Sequence, residues 1–464
     1  MTDIIDTDYL VVGAGGMGMA FVDELVTQTT ATVTIVDRNH RPGGHWNDAY
    51  PFVRLHQTSS CYGVNSTPLG NGRIDQVGWN KGCYELASGS EVVAYFDQVM
   101  RQRFLPSGRV RYLPMCDYRD DGRVLSRVSG AAYTVQAKKI VDATYINVTV
   151  PSQRPPKFKV LDGAVCVPPN AVPKLAPEYS RFTVVGSGKT GIDTCLFLME
   201  MGVASADITW VMPNDAWLFD RFTVNPGRQF TDIITAGRVE VLKAALAADS
   251  IDDFFQRVLA CNQLFQFDPK VKPTNWRCAT VTRLELEQLR KIPNVVRMGH
   301  VQAVTPDAMQ LDNGRWETAA NTLYIDCAAD GLKNRPEKKV FDGNRITLQT
   351  VRMCQQVYSA GFIGNVEANL SDEARKNALC RPVPLPHAAN DYLRCAIQDS
   401  ENMLIWLTEP QVVSWINASR IDLFSPIFKF DCPVVGPQIQ AMGELLQVAI
   451  PKMQALLDQQ PAHA

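Results

Sequence analysis

Short apolar segments alternate along the chain with longer segments of helical spacing, a pattern typical of helices packed on a largely parallel sheet. The segment 9–12 predicts a strand, and the apolar positions of 17–26 predict the helix that follows it. The same order recurs at 181–185 and 192–201. Further strands are predicted at 31–36, 110–116, 132–136, 139–144, 208–211, 239–242, 295–298 and 323–328, and further helices at 92–103, 251–264 and 282–291. We therefore expect an α/β fold.

A glycine-rich turn, G-A-G-G-M-G at residues 13–18, joins the first predicted strand to its helix. Gly13 permits a tight turn, Gly15 lets backbone approach a pyrophosphate, and Gly18 lets helix and strand pack closely. The phosphates would bind the free N–H groups at the positive end of the helix. Asp37 follows the next strand, where a carboxylate accepts hydrogen bonds from ribose hydroxyls. The alternative is an ordinary glycine turn before a helix.

A second glycine-rich turn, G-S-G-K-T-G at residues 186–191, follows the strand predicted at 181–185. The segment does not match a nucleoside-triphosphate P-loop, because that motif needs a glycine where this chain has Thr183. Lys189 and Thr190 would donate to a pyrophosphate or to a cofactor 2′-phosphate, or else belong to a solvated first helical turn. Two such turns, each between a strand and a helix, predict two bound dinucleotides.

Composition narrows the class of protein. The chain has 464 residues, enough for about three domain-sized units, and 46% of them are hydrophobic. A net charge of −2 gives no electrostatic footprint for nucleic acid or for anionic lipid. The acidic N-terminus and the lack of an apolar run of about 18 residues indicate neither a secretory signal nor a membrane span. We expect a cytoplasmic protein.

The twelve cysteines are scattered singly, without a C-x-x-C pair, and most of them are expected to be reduced, buried, small apolar residues. The missing pair argues against disulfide reductases, which share the plan of two dinucleotide turns. The six histidines are equally dispersed, so no metal site is expected.

Seven prolines lie between residues 151 and 177 and predict an extended linker. We expect a first dinucleotide-binding domain over 1–150, the linker over 151–180, a second over 181–320, and a return to the first over 321–464. The stretch 441–457 has an apolar helical stripe that would pack on the body of the protein or on a second subunit of a homodimer.

Together these motifs resemble the flavin-containing monooxygenase superfamily, which includes N-hydroxylating and Baeyer–Villiger enzymes, over roughly residues 8–221. The segment R-P-G-G-H-W at 41–46 is similar to the G-G-x-W segment that passes along FAD in those enzymes. The segment W-V-M-P at 210–213, with Trp217 and Arg221, is similar to a part of their nicotinamide domain. For Trp46 and Trp217 core packing is the alternative.

The resemblance implies two Rossmann-like domains, with the NAD(P) domain inserted into a discontinuous FAD domain. The implied FAD contacts are Gly13, Gly15, Gly16, Gly18, Asp37, Arg38, Gly44, His45, Trp46 and Cys116. The implied nicotinamide contacts are Gly186, Gly188, Lys189, Thr190 and Gly191. NADPH is the expected reductant and NADH is possible, because Met212 stands where the family commonly has an arginine for the 2′-phosphate. The family's F-x-G-x-x-x-H stretch is also missing, since residues 158–164 lack the histidine.

His56 falls where many flavin monooxygenases have an asparagine, and Gln57 is its neighbour. The resemblance implies hydride transfer to FAD, capture of molecular oxygen as a flavin C4a-peroxide, and support of that species by preorganised donors. A histidine can donate such a hydrogen bond. The alternative for His56 is a structural histidine beside the cofactor.

Three functions follow from this. The first is a monooxygenase that inserts one oxygen atom at nitrogen, sulfur or a carbonyl carbon of a small metabolite. The second is an FAD oxidoreductase or oxidase without oxygen insertion, and the third is a non-catalytic flavin-fold protein with a decayed nicotinamide site. A roomy apolar cavity with a cation would indicate ketones, and a small one would indicate amines. Arg381 and His387 are expected to be structural.

Overall fold

The computed structural model describes residues 3–120, 122–329, 335–423 and 435–459. Its first sheet has a parallel centre in which the long first strand lies between two neighbours, pairing Leu10 with Thr34 on one side and Ile140 on the other. The eight strands of this sheet are Asp3–Val12, Val33–Val36, Val110–Leu113, Cys116–Tyr118, Arg123–Ser126, Ala132–Asp142, Phe341–Asp342 and Arg345–Thr347.

Helices cover this first sheet and bury its apolar side chains. Gly16–Gln28 and Gln356–Asn369 pack side by side, so closely that a Cβ on Gly364 would lie 3.0 Å from the Phe21 carbonyl oxygen. Other helices of the first half and of the C-terminal part are Gly89–Val99, Glu373–Leu379 and Pro410–Ala418. Because strands after residue 340 return to this sheet, the intervening segment is an insertion, as the sequence predicts.

The second sheet is parallel throughout and carries the second glycine turn. In spatial order its strands are Asn294–Val296, Ile208–Val211, Arg181–Val185, Thr322–Asp326 and Val165–Val167. The helices associated with it are Val172–Leu175, Lys189–Glu200 and Arg283–Leu289. The two Rossmann-like sheets expected from the sequence are confirmed. The strand Val165–Val167 lies within the proline-rich stretch, which therefore does more than connect domains.

Two small sheets and a helical layer complete the inserted part and its surroundings. One sheet has strands Leu264–Phe265, Ala216–Asp220 and Asn275–Val281, and the other has Gly314–Glu317, Ala308–Leu311, Val301–Val304 and Lys159–Val160. The helical layer consists of Arg228–Ala247, Ile251–Ala260, Asp391–Trp406 and Val435–Asp458. Its core is strongly aromatic, with Phe254, Phe255 and Trp276 buried together. In the described part of the chain, helices that could cross a membrane are absent.

Several sequence-based elements differ from the structure. The strand predicted at 239–242 is wrong, because these residues lie inside the helix Arg228–Ala247. The run 110–116 is divided into two strands by Met115, whose φ is 53°. The pair predicted at 132–144 is instead one long strand, Ala132–Asp142.

The C-terminal helix packs on the body of the protein, one of the two arrangements expected. Met442, Leu446 and Met453 are buried in the helical layer. The residues 330–334, 424–434 and 460–464 of the predicted last segment lie outside the described residues.

Candidate functional site

The first glycine turn has the geometry that its spacing predicts. Gly13 has a φ of +106°, and a Cβ on Gly18 would lie only 2.0 Å from the Gly13 carbonyl oxygen. Gly15 is the N-cap of the helix Gly16–Gln28 and supplies no side chain to the first turn. The N–H groups at this helix end are therefore left for a ligand, and they carry the positive end of the helix dipole.

Asp37 lies directly beside this turn. Its carboxylate accepts hydrogen bonds from the N–H groups of Ala14 at 2.6 Å and Asn39 at 2.7 Å, and burial raises its pKa. The N–H of Cys116 donates to the Asp37 carbonyl at 3.0 Å, so the strand of Cys116 borders the same end of the turn. Arg38 is exposed and lies 3.6 Å from Asp117. Three of the predicted FAD residues are thus neighbours.

The G-G-H-W segment meets the first turn from the other side. The N–H of Gly43 donates to the Ala14 carbonyl at 2.9 Å, and a Cβ on Gly44 would lie 3.0 Å from the Gly15 Cα. His45 stacks on Trp46 with ring centroids 5.2 Å apart, and the Trp46 indole donates to the Tyr62 hydroxyl at 2.8 Å. Burial lowers the pKa of His45 to about 4, so its ring is neutral at pH 7.

The residues around the first turn fit a dinucleotide such as FAD. Two glycine segments meet where any side chain would obstruct the backbone, and a buried carboxylate lies beside the uncapped helix end. Those are the requirements for a diphosphate at the helix and ribose hydroxyls at the acid. Gly13, Gly15, Gly16, Gly44 and Asp37 would hold this group.

The second glycine turn repeats the backbone geometry of the first. Gly186 has a φ of +121°, and a Cβ on Gly191 would lie 2.0 Å from the Gly186 carbonyl oxygen. Gly188 is the N-cap of the helix Lys189–Glu200, and described atoms within 4 Å of a Cβ at this position are absent. The turn therefore faces open space.

Lys189 is bonded to protein groups next to the second turn. Its ammonium pairs with Asp193 and donates to the Arg54 carbonyl at 3.1 Å. The Tyr50 hydroxyl also donates to Asp193, at 2.8 Å. Burial raises the pKa of Asp193, and the neighbouring Lys189 opposes that rise. This cluster joins the second turn to the segment of the first domain that leads to His56.

A buried arginine fixes the His56 segment. The Nε of Arg221 donates to the His56 carbonyl at 3.3 Å, and the Thr280 hydroxyl donates to the same oxygen. Arg221 is 3% exposed and forms an ion pair with Glu285 at 2.9 Å. Arg221, which the sequence linked only to the nicotinamide domain, thus positions the backbone of the catalytic candidate.

The imidazole of His56 is neutral and faces a cavity. Burial, followed by the charges of Lys189 and Arg221, lowers its pKa to about 3. Its Nδ1 is buried and has no hydrogen-bond partner among the described residues. A buried polar atom is expensive to leave unpaired, so a ligand group is the natural partner for it.

The cavity has a volume of about 560 Å³ and brings distant parts of the chain together. His56, Gln57 and the residues 186–190 form one wall. The opposite wall is largely apolar and comes from the helical layer, with Val241, Leu242, Phe254, Val258 and Leu446. Arg238 also lines it, and burial lowers the pKa of its guanidinium to about 10, which leaves it cationic at pH 7.

A cysteine pair that the sequence analysis did not predict lies in the cavity wall. Cys278 and Cys354 form a disulfide across 76 residues of sequence. The absence of a C-x-x-C pattern did not exclude this disulfide, because the tertiary structure brings together two cysteines that are 76 residues apart. The other nine cysteines of the described residues are free, which agrees with the expectation that most cysteines are reduced.

Other residues that the sequence singled out lie outside the cavity. Trp217 is 2% exposed and stacks on Phe255, so core packing explains it. Met212 is buried in the core of the second sheet. The His387 carbonyl accepts a hydrogen bond from the Trp276 N–H, and Arg381 pairs with Glu401, both of which are structural roles.

Arg238, Cys278 and Cys354 are among the cavity residues that the sequence analysis did not single out. The helical spacing of apolar residues around Arg238 could have predicted its helix, but residues 239–242 were assigned to a strand instead.

Two comparisons relate the sequence to known proteins. The chain is 49% identical to the uncharacterized protein Rv2000 of Mycobacterium tuberculosis over 424 residues, which cover 91% of this chain and 79% of that one. The uncharacterized protein Mb2023 of Mycobacterium bovis matches with the same identity and coverage. No protein-family model matches the chain.

Among solved structures, the chain is similar to the polycyclic ketone monooxygenase of Thermothelomyces thermophila, with a TM-score of 0.51 and 12% identity over 97% of this chain and 89% of that one. It is also similar to a flavin-containing monooxygenase of Stenotrophomonas maltophilia, with a TM-score of 0.46 and 16% identity over 81% and 99% of the two chains. At such identities the likeness concerns the fold.

Proposed function

The chain belongs to one protein family with Rv2000 and has the fold of the flavin-containing monooxygenase superfamily, and from this premise we propose that it is an FAD-dependent, NAD(P)H-using monooxygenase. The observation that carries the proposal is the cavity in which His56 and Gln57 meet the second glycine turn. One dinucleotide site borders that cavity, and the G-G-H-W segment next to the other ends ten residues before His56 along the chain.

The proposed roles follow from the geometry. The first turn, Asp37 and Gly44 would hold FAD, and Gly186, Gly188 and Thr190 would hold the nicotinamide cofactor. When bound, FAD would supply the chemistry that accepts a hydride and activates oxygen. Because its ring is neutral, His56 can donate one hydrogen bond and accept another without bringing a positive charge into the site.

The walls around His56 serve to exclude water. Phe254 and Val258 are almost completely buried, and Leu446 is 8% exposed. A dry cavity strengthens the hydrogen bond from a fixed donor, because the local dielectric is low. Arg221 holds the His56 carbonyl, so the ring is presented by a rigid backbone and needs little reorganisation.

We propose an apolar ketone as the substrate class. The cavity is large enough for a ligand of small-molecule size, its far wall is apolar, and Arg238 places a cation there. A cation disfavours an alkylammonium substrate and favours a carbonyl oxygen, which can accept a hydrogen bond from a guanidinium. The carboxylates of Asp399 and Asp422 help to keep Arg238 cationic against the effect of burial, and Asp399 also accepts from the Met353 N–H at 2.7 Å and lies 3.5 Å from Arg352.

Spectroscopy and product analysis test the proposal. The purified protein should show the absorption of oxidised flavin, which NADPH or NADH should bleach without oxygen. Apolar ketones should then stimulate oxygen uptake and yield a product that carries one labelled atom from labelled dioxygen. Amines of the same carbon number are the matched comparison.

Each contrary result has a definite meaning. A colourless protein that takes up no added flavin would refute the proposal. Bleaching without an oxygenated product would indicate the oxidoreductase alternative, and a flavoprotein inert to both nicotinamides would indicate the non-catalytic one. Faster turnover of the amines would overturn the substrate class alone.

A further inference from the structure

The disulfide between Cys278 and Cys354 connects two different parts of the cavity wall. Cys278 lies in the strand Asn275–Val281 of the inserted part, and Cys354 lies just before the helix Gln356–Asn369, which packs on the first sheet. Their Cα atoms are 6.4 Å apart, a separation that a disulfide can span. Both cysteines are half-buried and both line the cavity, so a small molecule inside it can reach the sulfurs.

The other cysteines of the described chain differ from this pair. Seven of the nine are buried, among them Cys195, Cys327 and Cys380. Cys166 and Cys261 are half-buried but do not border the cavity. Burial disfavours a thiolate, which is the reactive form of cysteine, and therefore those cysteines are suited to packing.

The surroundings of the pair favour a thiolate instead. Arg238 and Arg277 line the same cavity as the two sulfurs. Cys354 also lies two residues before the first residue of a helix of 14 residues, where the positive end of the helix dipole stabilises a negative charge. A nearby cation and a helix N-terminus are the two features that activate protein thiols. Of the two sulfurs, only that of Cys354 lies beside a helix N-terminus, so Cys354 is the better leaving group.

We propose that Cys278 and Cys354 are a redox-active pair that exchanges with small thiols entering the cavity. The thiolate of a small thiol attacks the Cys278 sulfur, the bond between the two protein sulfurs breaks, and Cys354 leaves as a thiolate. A second small thiolate attacks the small-molecule sulfur of the mixed disulfide, the small disulfide forms, and Cys278 leaves as a thiolate. Two electrons pass from two small thiols to the protein pair, and the reverse sequence reoxidises it.

The exchange changes how the cavity walls are connected. In the disulfide form, the strand of Cys278 is covalently tied to the turn that carries Cys354. In the dithiol form, only packing and hydrogen bonds hold these two walls together. The pair therefore links the redox state of small thiols to the mobility of one side of the cavity.

A redox titration of the native protein tests the proposal. The protein is equilibrated in mixtures of reduced and oxidised dithiothreitol, quenched with acid, alkylated and analysed by peptide mass spectrometry. Alkylation of Cys278 and Cys354 should rise together through a single two-electron transition while the far-UV circular dichroism stays native. Cys261 is the internal control, because its alkylation should not follow the same transition.

Two results would overturn the proposal. If the pair stays oxidised until the protein unfolds, the disulfide is structural. If both cysteines are alkylated in fully oxidising mixtures, the disulfide does not form. Neither result depends on flavin or on turnover, so a failure here is distinguishable from a failure of the proposed monooxygenase function.

Single substitutions test the assigned order of attack. With oxidised glutathione, the C354S protein should accumulate a mixed disulfide on Cys278, whereas the wild-type protein should not, because Cys354 resolves it. With iodoacetamide, the Cys354 thiol of C278S should be alkylated at a lower pH than the Cys278 thiol of C354S, because Cys354 lies at the helix N-terminus. A lower pH for Cys278 would reverse the assignment, and no glutathione adduct in either variant would refute exchange through the cavity.

Discussion

The two glycine turns share one backbone design but have different neighbours. In both, a Cβ on the last glycine would lie 2.0 Å from the carbonyl oxygen of the first glycine, Gly13 or Gly186. The first turn has Asp37 bonded to its backbone and is approached by Gly44. The second faces open space at Gly188 and is followed by Met212, which is part of the core.

This difference separates two contributions: the glycine spacing determines the backbone geometry, and the neighbouring residues determine what the turn can bind. The glycine spacing determines how a strand, a turn and a helix pack, and that much is common to both turns. The residues that approach from elsewhere decide what each turn can hold. At the second turn they are Tyr50 and Arg54, which bond to Asp193 and Lys189 of the turn and its helix, and the walls of the cavity.

The largest expected effect comes from the crowded glycines. Gly18→Ala and Gly191→Ala each place a methyl group against a backbone carbonyl that cannot move without disturbing a strand. Overpacking of this kind costs about 3 kcal/mol, so we expect a large loss of unfolding free energy, measured by urea denaturation.

Gly188→Ala is the matched control for that experiment. It lies in the same turn as Gly191, but its Cβ would meet open space and its φ of −80° suits alanine. Its unfolding free energy should stay near that of the wild type, while the affinity for the nicotinamide cofactor falls. Equal destabilisation by all three substitutions would contradict the close-packing role of Gly18 and Gly191.

The next largest effect is expected at the catalytic candidate. His56→Ala removes a neutral donor from the cavity wall, and the loss of one preorganised donor lowers turnover by about 100-fold. We expect more hydrogen peroxide released per NAD(P)H consumed. His40→Ala, at an exposed position, is the control. Unchanged coupling in His56→Ala would remove this residue from the catalytic machinery and leave it a structural histidine.

The sequence predicted the two sheets and both turns because their signals are local. An apolar strand, a glycine turn and a helical period occupy about 20 consecutive residues. The position of Asp37 beside the first turn follows from the same short segment. Gly43 and Gly44 were found through a motif, and their contact with the first turn depends on residues close in sequence.

The cavity could not be predicted in the same way. Arg238 lies on the helix Arg228–Ala247, of which the sequence analysis assigned only residues 239–242, and those to a strand. The partners Cys278 and Cys354 are 76 residues apart, and their encounter depends on the packing of the inserted part on the first domain. Patterns in a single sequence cannot predict contacts between residues that are this far apart along the chain.

A double-mutant cycle would test how the second turn is held to the first domain. Lys189→Met removes the cation beside the buried Asp193 and should cost about 1–3 kcal/mol of unfolding free energy, since a charged group is left without its partner. The double variant with Asp193→Asn should cost less than the sum of the single variants, as measured by urea denaturation. Additive costs would show that the pair contributes nothing, and would favour a phosphate-binding role for Lys189.

A further effect is expected from pH. His45 and His56 have folded-state pKa values of about 4 and about 3, below the ordinary value of 6.5. Between pH 6.5 and 4 the unfolded chain therefore binds protons that the folded chain does not, and stability falls as the pH falls. The urea midpoint should drop from pH 7.5 to pH 5, and less so in the His45→Gln, His56→Gln protein. His300→Gln, at an exposed position, should leave the drop in urea midpoint unchanged. If the wild type and both variant proteins show the same drop, groups other than His45 and His56 cause it.

The smallest expected effect separates the two reduced nicotinamides. The residue after the strand Ile208–Val211 is the buried Met212 and not an arginine that could bind a 2′-phosphate. The guanidinium of Arg297 is already paired with Asp215, at 2.7 Å. A bound 2′-phosphate would therefore find no free guanidinium directly after this strand, and we expect the two rates of flavin bleaching to differ by less than about tenfold, or 1.4 kcal/mol. Stopped-flow reduction by NADH and NADPH at equal concentrations measures this ratio. A strong preference for NADPH would mean that Lys189 leaves Asp193 when the cofactor binds, and the preference should then disappear in Lys189→Met.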